Sequence, residues 1–259
     1  MDQVFLFGMS IVAGFLGALL GLGGGFVLIP VMTLVLGVHI RYAIAASLIS
    51  IVATSSGAAA GFLRDRLTNV RLAVLLEVGT VTGAIVGYLI ASRVHESFLY
   101  ILFGCFLLAS AALMLRRREH VANSRNHPWS QSMGLAGKYP LGGRLVEYGV
   151  DNVPFGLVAM FGAGILSALL GIGSGIFKVL AMDGAMKLPM KVSSATSNFM
   201  IGVTAAGSAG AYFASGDVRP EIAAPVAVGV LIGSLLGARA MPVIPAAAIR
   251  KTFVLVLSL

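Results

Sequence analysis

Charge is what this sequence has least of. Its 259 residues carry 18 Lys and Arg and 10 Asp and Glu, so 11% are charged against 58% hydrophobic, where a soluble domain has about 25% charged residues. A soluble fold of this size needs a charged skin, and these few charges, clustered in short runs, cannot supply one. Cysteine is almost absent: Cys105 stands alone, which excludes an intramolecular disulfide and leaves too few thiols for a sulfur relay. No Cys/His spacing suggests a metal site. A basic stretch is also missing from Met1-Asp2-Gln3, so the first hydrophobic segment does not read as a removable signal peptide.

What remains is apolar. Segments of roughly 17 to 23 residues alternate with short polar connections, the length that crosses a hydrocarbon core about 30 Å thick. The net charge of +8 lies at segment ends, where it reports orientation and attraction to anionic lipid heads rather than nucleic-acid binding.

The chain also repeats itself at an offset of 150 residues. Gly14-Phe-Leu-Gly-Ala-Leu-Leu-Gly-Leu-Gly-Gly-Gly25 returns as Gly164-Ile-Leu-Ser-Ala-Leu-Leu-Gly-Ile-Gly-Ser-Gly175. Without a gap, Arg41 then faces Lys191, Ser47 faces Ser197, Thr54 faces Thr204, and Gly79, Gly83 and Gly87 face Gly229, Gly233 and Gly237. Register sustained over this distance indicates an internal duplication. The first copy, 1–115, has apolar segments near 4–37 (interrupted), 42–63, 70–91 and 97–115. The second, 151–259, has them near 153–186 (interrupted), 192–214, 221–238 and from 248 onward, this last only twelve residues to Leu259. Between the copies, 116–150 reads as a cytoplasmic linker outside the hydrocarbon, with Trp129 and Tyr139 as interfacial anchors or ordinary loop residues.

The expected fold class is all-α: a polytopic membrane protein of two inverted-topology repeats, each a broken re-entrant first helix pair plus three transmembrane helices. Charge selects inversion. With the linker in the cytoplasm and Lys178 set aside, the inverted arrangement puts 14 of the remaining 17 Lys and Arg inside and three (Arg41, Arg93, Arg219) outside. A parallel arrangement puts ten inside and seven outside, against the positive-inside rule.

Four glycines in five residues at Gly21-Leu-Gly-Gly-Gly25, and the matching Gly171-Ile-Gly-Ser-Gly175, break a helix, since each glycine weakens one by about 1 kcal/mol relative to alanine. Unwound backbone at membrane depth is tolerated only in protein or beside a wet cavity. The half-helix restarting after each break exposes N–H groups and the positive end of its dipole, which favour an anion, as in transporters with inverted repeats. Close helix packing is the competing explanation, and the preferred one for the triplets at Gly79 and Gly229. Lys178 stands where the first copy has Leu28. Such a residue costs about 2.5–3.5 kcal/mol at membrane depth. It either contributes a cation to an anion site or snorkels outward with Asp183 as partner. Ser47, Ser50, Thr54, Ser193, Ser194, Ser197, Asn198 and Thr204 form a polar stripe that hydrogen-bonds a substrate or joins helices. Glu77 relays protons or pairs with a nearby arginine. The candidate substrate-binding set is Gly23, Gly24, Gly25, Ser47, Gly173, Ser174, Gly175, Lys178, Ser197 and Asn198.

The paired motifs Gly21-Leu-Gly-Gly-Gly-Phe-Val-Leu-Ile-Pro30 and Gly171-Ile-Gly-Ser-Gly-Ile-Phe-Lys178, with Ala-Ala-Ser47 and Ala-Thr-Ser197 after them, resemble the sulfite exporter TauE/SafE family over nearly the whole chain. The second motif departs from the Gly-Gly-Gly form at Ser174 and has Leu180 where a proline would stand. The resemblance implies transport of sulfite or small organosulfonates across a bacterial cytoplasmic membrane, commonly outward. The expected partners are that small anion, membrane lipids and a second copy in a homodimer, with no nucleic acid and no cofactor. Two rivals use the same residues. Gly173-Ser174-Gly175 looks like an intramembrane serine hydrolase motif, but His39, His95, His120 and His127 fall in loops or at segment ends, away from the serine that needs a base. A passive channel or an uptake carrier would use the same dipoles and lysine. A dinucleotide loop would need a preceding strand.

Overall fold

The computed structural model describes residues 3–21, 23–91, 93–115, 128–141, 144–171, 173–245 and 248. The final segment of the second copy and Arg116–Arg118 therefore lie outside the described residues.

Both interrupted segments are broken where their glycines stand. Helix α1 (Gln3–Leu20) ends at Gly21, and α2 (Gly25–Pro30) starts after Gly23 and Gly24, both at φ near +75°, a left-handed conformation open to glycine at little cost. The chain reverses here: a Cβ on Gly24 would sit 3.0 Å from the Ala13 carbonyl, so α2 returns alongside α1. The second copy repeats this with α7 (Val153–Leu170) and α8 (Gly175–Leu180), with Gly171, Gly173 and Ser174 taking the left-handed turn at φ 66°, 66° and 50°. The arms are unequal. Eighteen residues of α1 rise about 27 Å, whereas the returning arm is short and ends in a π turn, Val31–Val35 in one copy and Ala181–Ala185 in the other. Wider bonds close each π turn, from Leu36 N to Val31 O and from Met186 N to Ala181 O. No sequence pattern announced them.

Long helices follow: α3 (Ile40–Arg64), α4 (Val70–Ala91) and α5 (Glu96–Leu115) in the first copy, α9 (Met190–Ala214) and α10 (Pro220–Ala240) in the second. Among the described residues five helices are long and apolar enough to cross a membrane, namely α1, α3, α4, α7 and α10. Helix α9 matches α3 in length but is richer in Ser, Thr and Asn, and most of its first half is buried.

The all-α expectation needs one correction. The linker folds into a short helix, α6 (Pro128–Ser132), and an antiparallel hairpin, β1 (Gly137–Leu141) with β2 (Arg144–Tyr148). It docks on the α3–α4 connection, where the Asn69 side chain donates to Leu135 O at 2.8 Å and to the Tyr148 hydroxyl at 3.1 Å. Burial raises the Tyr148 phenol above its ordinary pKa, and the Asn69 bond opposes this. Tyr139 is buried edge-to-face against Tyr148, while Trp129 stays exposed. Lys187 pairs with Asp151 at 3.4 Å, and Asn152 donates to Ala185 O, so the start of α7 and the end of its returning arm share one side of the molecule.

The copies are interlocked. The glycine triplet of α4 lies on α7, where a methyl at Gly79, Gly83 or Gly87 would crowd the carbonyls of Leu157, Phe161 and Ile165. The triplet of α10 meets Phe7, Ile11 and Phe15 of α1 in the same way. Each contact maps onto the other by the offset of 150. These glycines therefore serve close helix approach, as small residues do in membranes. Helices α3 and α9 cross at the centre in opposite directions. Ile51 and Ile201 both lie against Gly23, Ser55 donates to Asn198 O at 2.6 Å, and further on Asn69 N donates to the Thr196 hydroxyl.

Candidate functional site

The two breaks meet across the centre and are clasped crosswise. The Ser47 hydroxyl of α3 donates to Gly171 O of the second break at 2.7 Å, and the Ser197 hydroxyl of α9 donates to Gly21 O of the first at 2.8 Å. All four partners are buried. Each hydrogen bond satisfies a carbonyl that a helix end would otherwise leave unpaired. A methyl on Gly25 would strike the Ser47 hydroxyl and come within 3.1 Å of Gly171 O, so only glycine allows this approach.

The other sequence candidates gather around this clasp. Gly23 and Gly173 both lie against Ile51 and Ile201, so an apolar pair closes the centre between them. The Ser174 hydroxyl donates to the adjacent Gly173 carbonyl at 2.8 Å, and Gly175 O receives a longer 3.3 Å bond from Ser197. The hydrolase alternative gains nothing here, because that serine is engaged by backbone and His39 sits at the start of α3, accepting from Arg41 N. Asn198 donates to Ala18 O at 2.7 Å and Ser194 O at 3.1 Å. Its Oδ1, with the hydroxyl oxygens of Ser167, Ser193 and Ser194, is buried without a hydrogen-bond partner. Buried polar atoms rarely stay unpaired; Ser194 and Asn198 lie against Gly21 and Ala18 of the first arm, and Ser167 beside Gly171 of the second. Leu22 and Ile172 fall outside the described residues.

Lys178 points away from the clasp. Its ammonium, fully buried, lies 3.5 Å from Glu77 Oε2 of α4 and donates to the Thr204 hydroxyl of α9 at 2.7 Å. Thr204 in turn donates to Glu77 Oε1, and Thr80 stands 3.4 Å from it. The partner of the lysine is thus Glu77 from the other copy. Among the described residues, neither the expected Asp183 pairing of Lys178 nor the arginine pairing of Glu77 is formed. The sequence held a signal for this contact. At the equivalent places of the other half stand Leu28 and Ala227, so lysine and glutamate are introduced together on one side only. There Leu28 packs in an apolar cluster with Val226 and Val230.

The seams beside these two places also differ. Between α3 and α10, Gly57 is closed on by Ser234 and Leu231. Between α4 and α9, the corresponding Gly207 has nothing within 4 Å of a would-be Cβ. A cleft of about 310 Å³ opens there, lined by Val81, Ala84, Ile85, Val203, Gly207 and Thr204 among others. Thr204 belongs to both the cleft wall and the charged cluster.

The sulfite exporter TauE/SafE family matches residues 6–259. The chain is 27% identical over 246 residues to the probable membrane transporter protein YunE of Bacillus subtilis (strain 168), covering 92% of this chain and 88% of that one. It is 25% identical over 248 residues to the probable membrane transporter protein MJ0441 of Methanocaldococcus jannaschii, covering 88% and 82%. The probable membrane transporter protein YdhB of Bacillus subtilis (strain 168) is 23% identical over 256 residues, covering 96% and 93%. No solved structure matches. With its apolar helices and a match of this extent, the chain is a multi-pass membrane protein of the sulfite exporter TauE/SafE family.

Proposed function

We propose that this protein is a secondary transporter that carries small sulfur-containing anions, sulfite or organosulfonates, outward across the cytoplasmic membrane by alternating access. The observation that carries the reading is the crosswise clasp of Ser47 on Gly171 and Ser197 on Gly21. It brings two interrupted arms, with the N–H groups that each restarting helix leaves unpaired, to one buried centre. Unpartnered hydroxyls at Ser194, against the first break, and Ser167, beside the second, supply further hydrogen-bond donors. Ser47 and Ser197 keep the arms in place with their hydrogens and retain lone pairs only, so the anion's donors in this reading are backbone amides and the unpartnered hydroxyls of Ser167 and Ser194.

Inverted repeats are supported by three features: each first segment turns back on itself, α3 and α9 run in opposite directions, and the charge distribution favours a cytoplasmic linker. Halves related by a pseudo-two-fold axis in the membrane plane have two nearly equivalent arrangements of the same contacts, the usual basis of alternating access. The asymmetry between the sealed α3–α10 seam and the open α4–α9 seam fits one of those arrangements.

Efflux of labelled sulfite from preloaded proteoliposomes tests the proposal. Efflux that saturates with concentration is expected; efflux equal to that of protein-free vesicles would refute it.

A further inference from the structure

We propose that the cleft between α4 and α9 binds a small organic anion together with one proton, the anion's head taking the place of the Glu77 carboxylate beside Lys178 and Thr204. This rests on the transport reading and adds to it a second site, away from the glycine breaks, and a coupling ion.

The cleft has two kinds of surface. Val81, Ala84, Ile85 and Val203 give it apolar walls, while Thr204 and Ser208 are polar. A bare inorganic ion gains nothing from such walls. An organic anion buries carbon there, and each methylene taken from water strengthens binding by about fourfold. Its head meets the Thr204 hydroxyl, which already receives a hydrogen bond from Lys178. The equivalent place in the other half has Leu28, Ala227 and Val230 in place of Lys178, Glu77 and Thr80, and its seam is closed. Charge and cleft thus occur together, on one side only.

The cation is not free in this structure, because Glu77 holds it. Lys178 is wholly buried, whereas 12% of the Glu77 side chain remains exposed, so Glu77 is the member able to turn aside. An arriving anion would leave two negative groups on one ammonium in a low-dielectric site, an arrangement relieved by a proton on one of them. A sulfonate, the anion of a strong acid, does not take that proton. Glu77 does, at Oε2, an oxygen that accepts no hydrogen bond in this structure. One proton from water and one monovalent anion then enter together, and the site's net charge is unchanged. Among the described residues, the other groups facing Glu77 do not compete. Thr80 and Thr204 are neutral, α7 carries no ionisable side chain over Val153–Leu170, Tyr88 and Tyr212 meet edge-on further along the cleft, and Arg71 and Lys191 sit in the first turns of their helices.

The test is calorimetric titration of the purified protein with butanesulfonate in buffers of differing ionisation enthalpy. Uptake of about one proton per anion is expected, with affinity rising about tenfold for each unit fall in pH and about fourfold per methylene from methanesulfonate upward. Gly207→Leu, which fills the cleft at an open position, should weaken binding at least tenfold. Glu77→Gln should bind without proton uptake. Should that variant misfold, the double variant Glu77→Ala with Lys178→Leu restores the residues of the other half and should fold but not bind. Binding without proton uptake by the native protein, or binding undiminished by Gly207→Leu, would overturn the proposal. So would binding in phosphatidylcholine nanodiscs that is lost on adding phosphatidylglycerol, since the occupant would then be a lipid headgroup. Sulfite flux with no proton-linked butanesulfonate binding refutes this inference alone; proton-linked binding without any sulfite flux refutes the transport reading alone.

Discussion

Ser47 and Gly171 are joined across the two copies by a buried 2.7 Å hydrogen bond, and the offset of 150 residues converts this pair into Ser197 and Gly21, joined at 2.8 Å. The bonds are equivalent in chemistry, so they should be equivalent in energy. Ser47→Ala and Ser197→Ala each leave a buried carbonyl without its partner, a loss of about 1–3 kcal/mol. Thermal unfolding in detergent should show two similar drops in Tm and a larger one for the double variant. A drop from only one of them would show that the clasp is not symmetric.

The interlocking of the copies depends on glycine at fixed places. A methyl at Gly83 would overlap the Phe161 carbonyl, and one at Gly233 the Ile11 carbonyl. Alanine at either should cost about 1–3 kcal/mol through forced separation of the helices. Gly210→Ala, where nothing lies within 4 Å, should be tolerated. Size-exclusion profiles of the three variants after mild heating provide the comparison.

Lys178 and Glu77 should be strongly coupled. Removing one partner leaves a buried charge uncompensated, at about 3–5 kcal/mol, so Lys178→Leu alone should be markedly less stable than the double variant carrying Glu77→Ala as well. A double-mutant cycle on Tm measures this. Additive effects would mean that the two charges do not interact.

The glycine breaks, the duplication and the packing triplets were legible in the sequence because each is carried by residue types with few alternatives. Only glycine accepts the close contacts at Gly83, and it takes left-handed turns such as those at Gly21 and Gly23 at little cost, although Ser174 holds the same conformation in the second copy. Lys178 was legible as an unusual charge, but its partner was not found, because an almost uniformly apolar helix gives no period from which to read which face Glu77 presents. The offset of 150 offered the missing clue: Leu28 and Ala227 change together to Lys178 and Glu77. The hairpin in the linker was also missed, although Gly142-Gly143 between Leu141 and Arg144 is a recognised two-residue hairpin signal. The serines were visible as a polar stripe. That their hydrogens go to backbone carbonyls of the opposite copy depends on the crossing of α3 and α9, which no local pattern encodes.

Orientation can be checked residue by residue. Arg64, at the end of α3, and Ala214, at the end of α9, are exposed counterparts in the two copies. In a background where Cys105 is replaced by serine, cysteine at 64 should react with a membrane-impermeant maleimide only from the cytoplasmic side, and cysteine at 214 only from the opposite side. Labelling of both from one side would exclude inversion.

Sulfite counterflow is the most direct test of the account as a whole. Proteoliposomes preloaded with unlabelled sulfite and diluted into a trace of labelled sulfite should accumulate label transiently above equilibrium, because one site exposed alternately to each side couples inward to outward movement. Label that enters at the same rate with or without internal sulfite, rising in proportion to external concentration, would contradict alternating access and make the protein a pore.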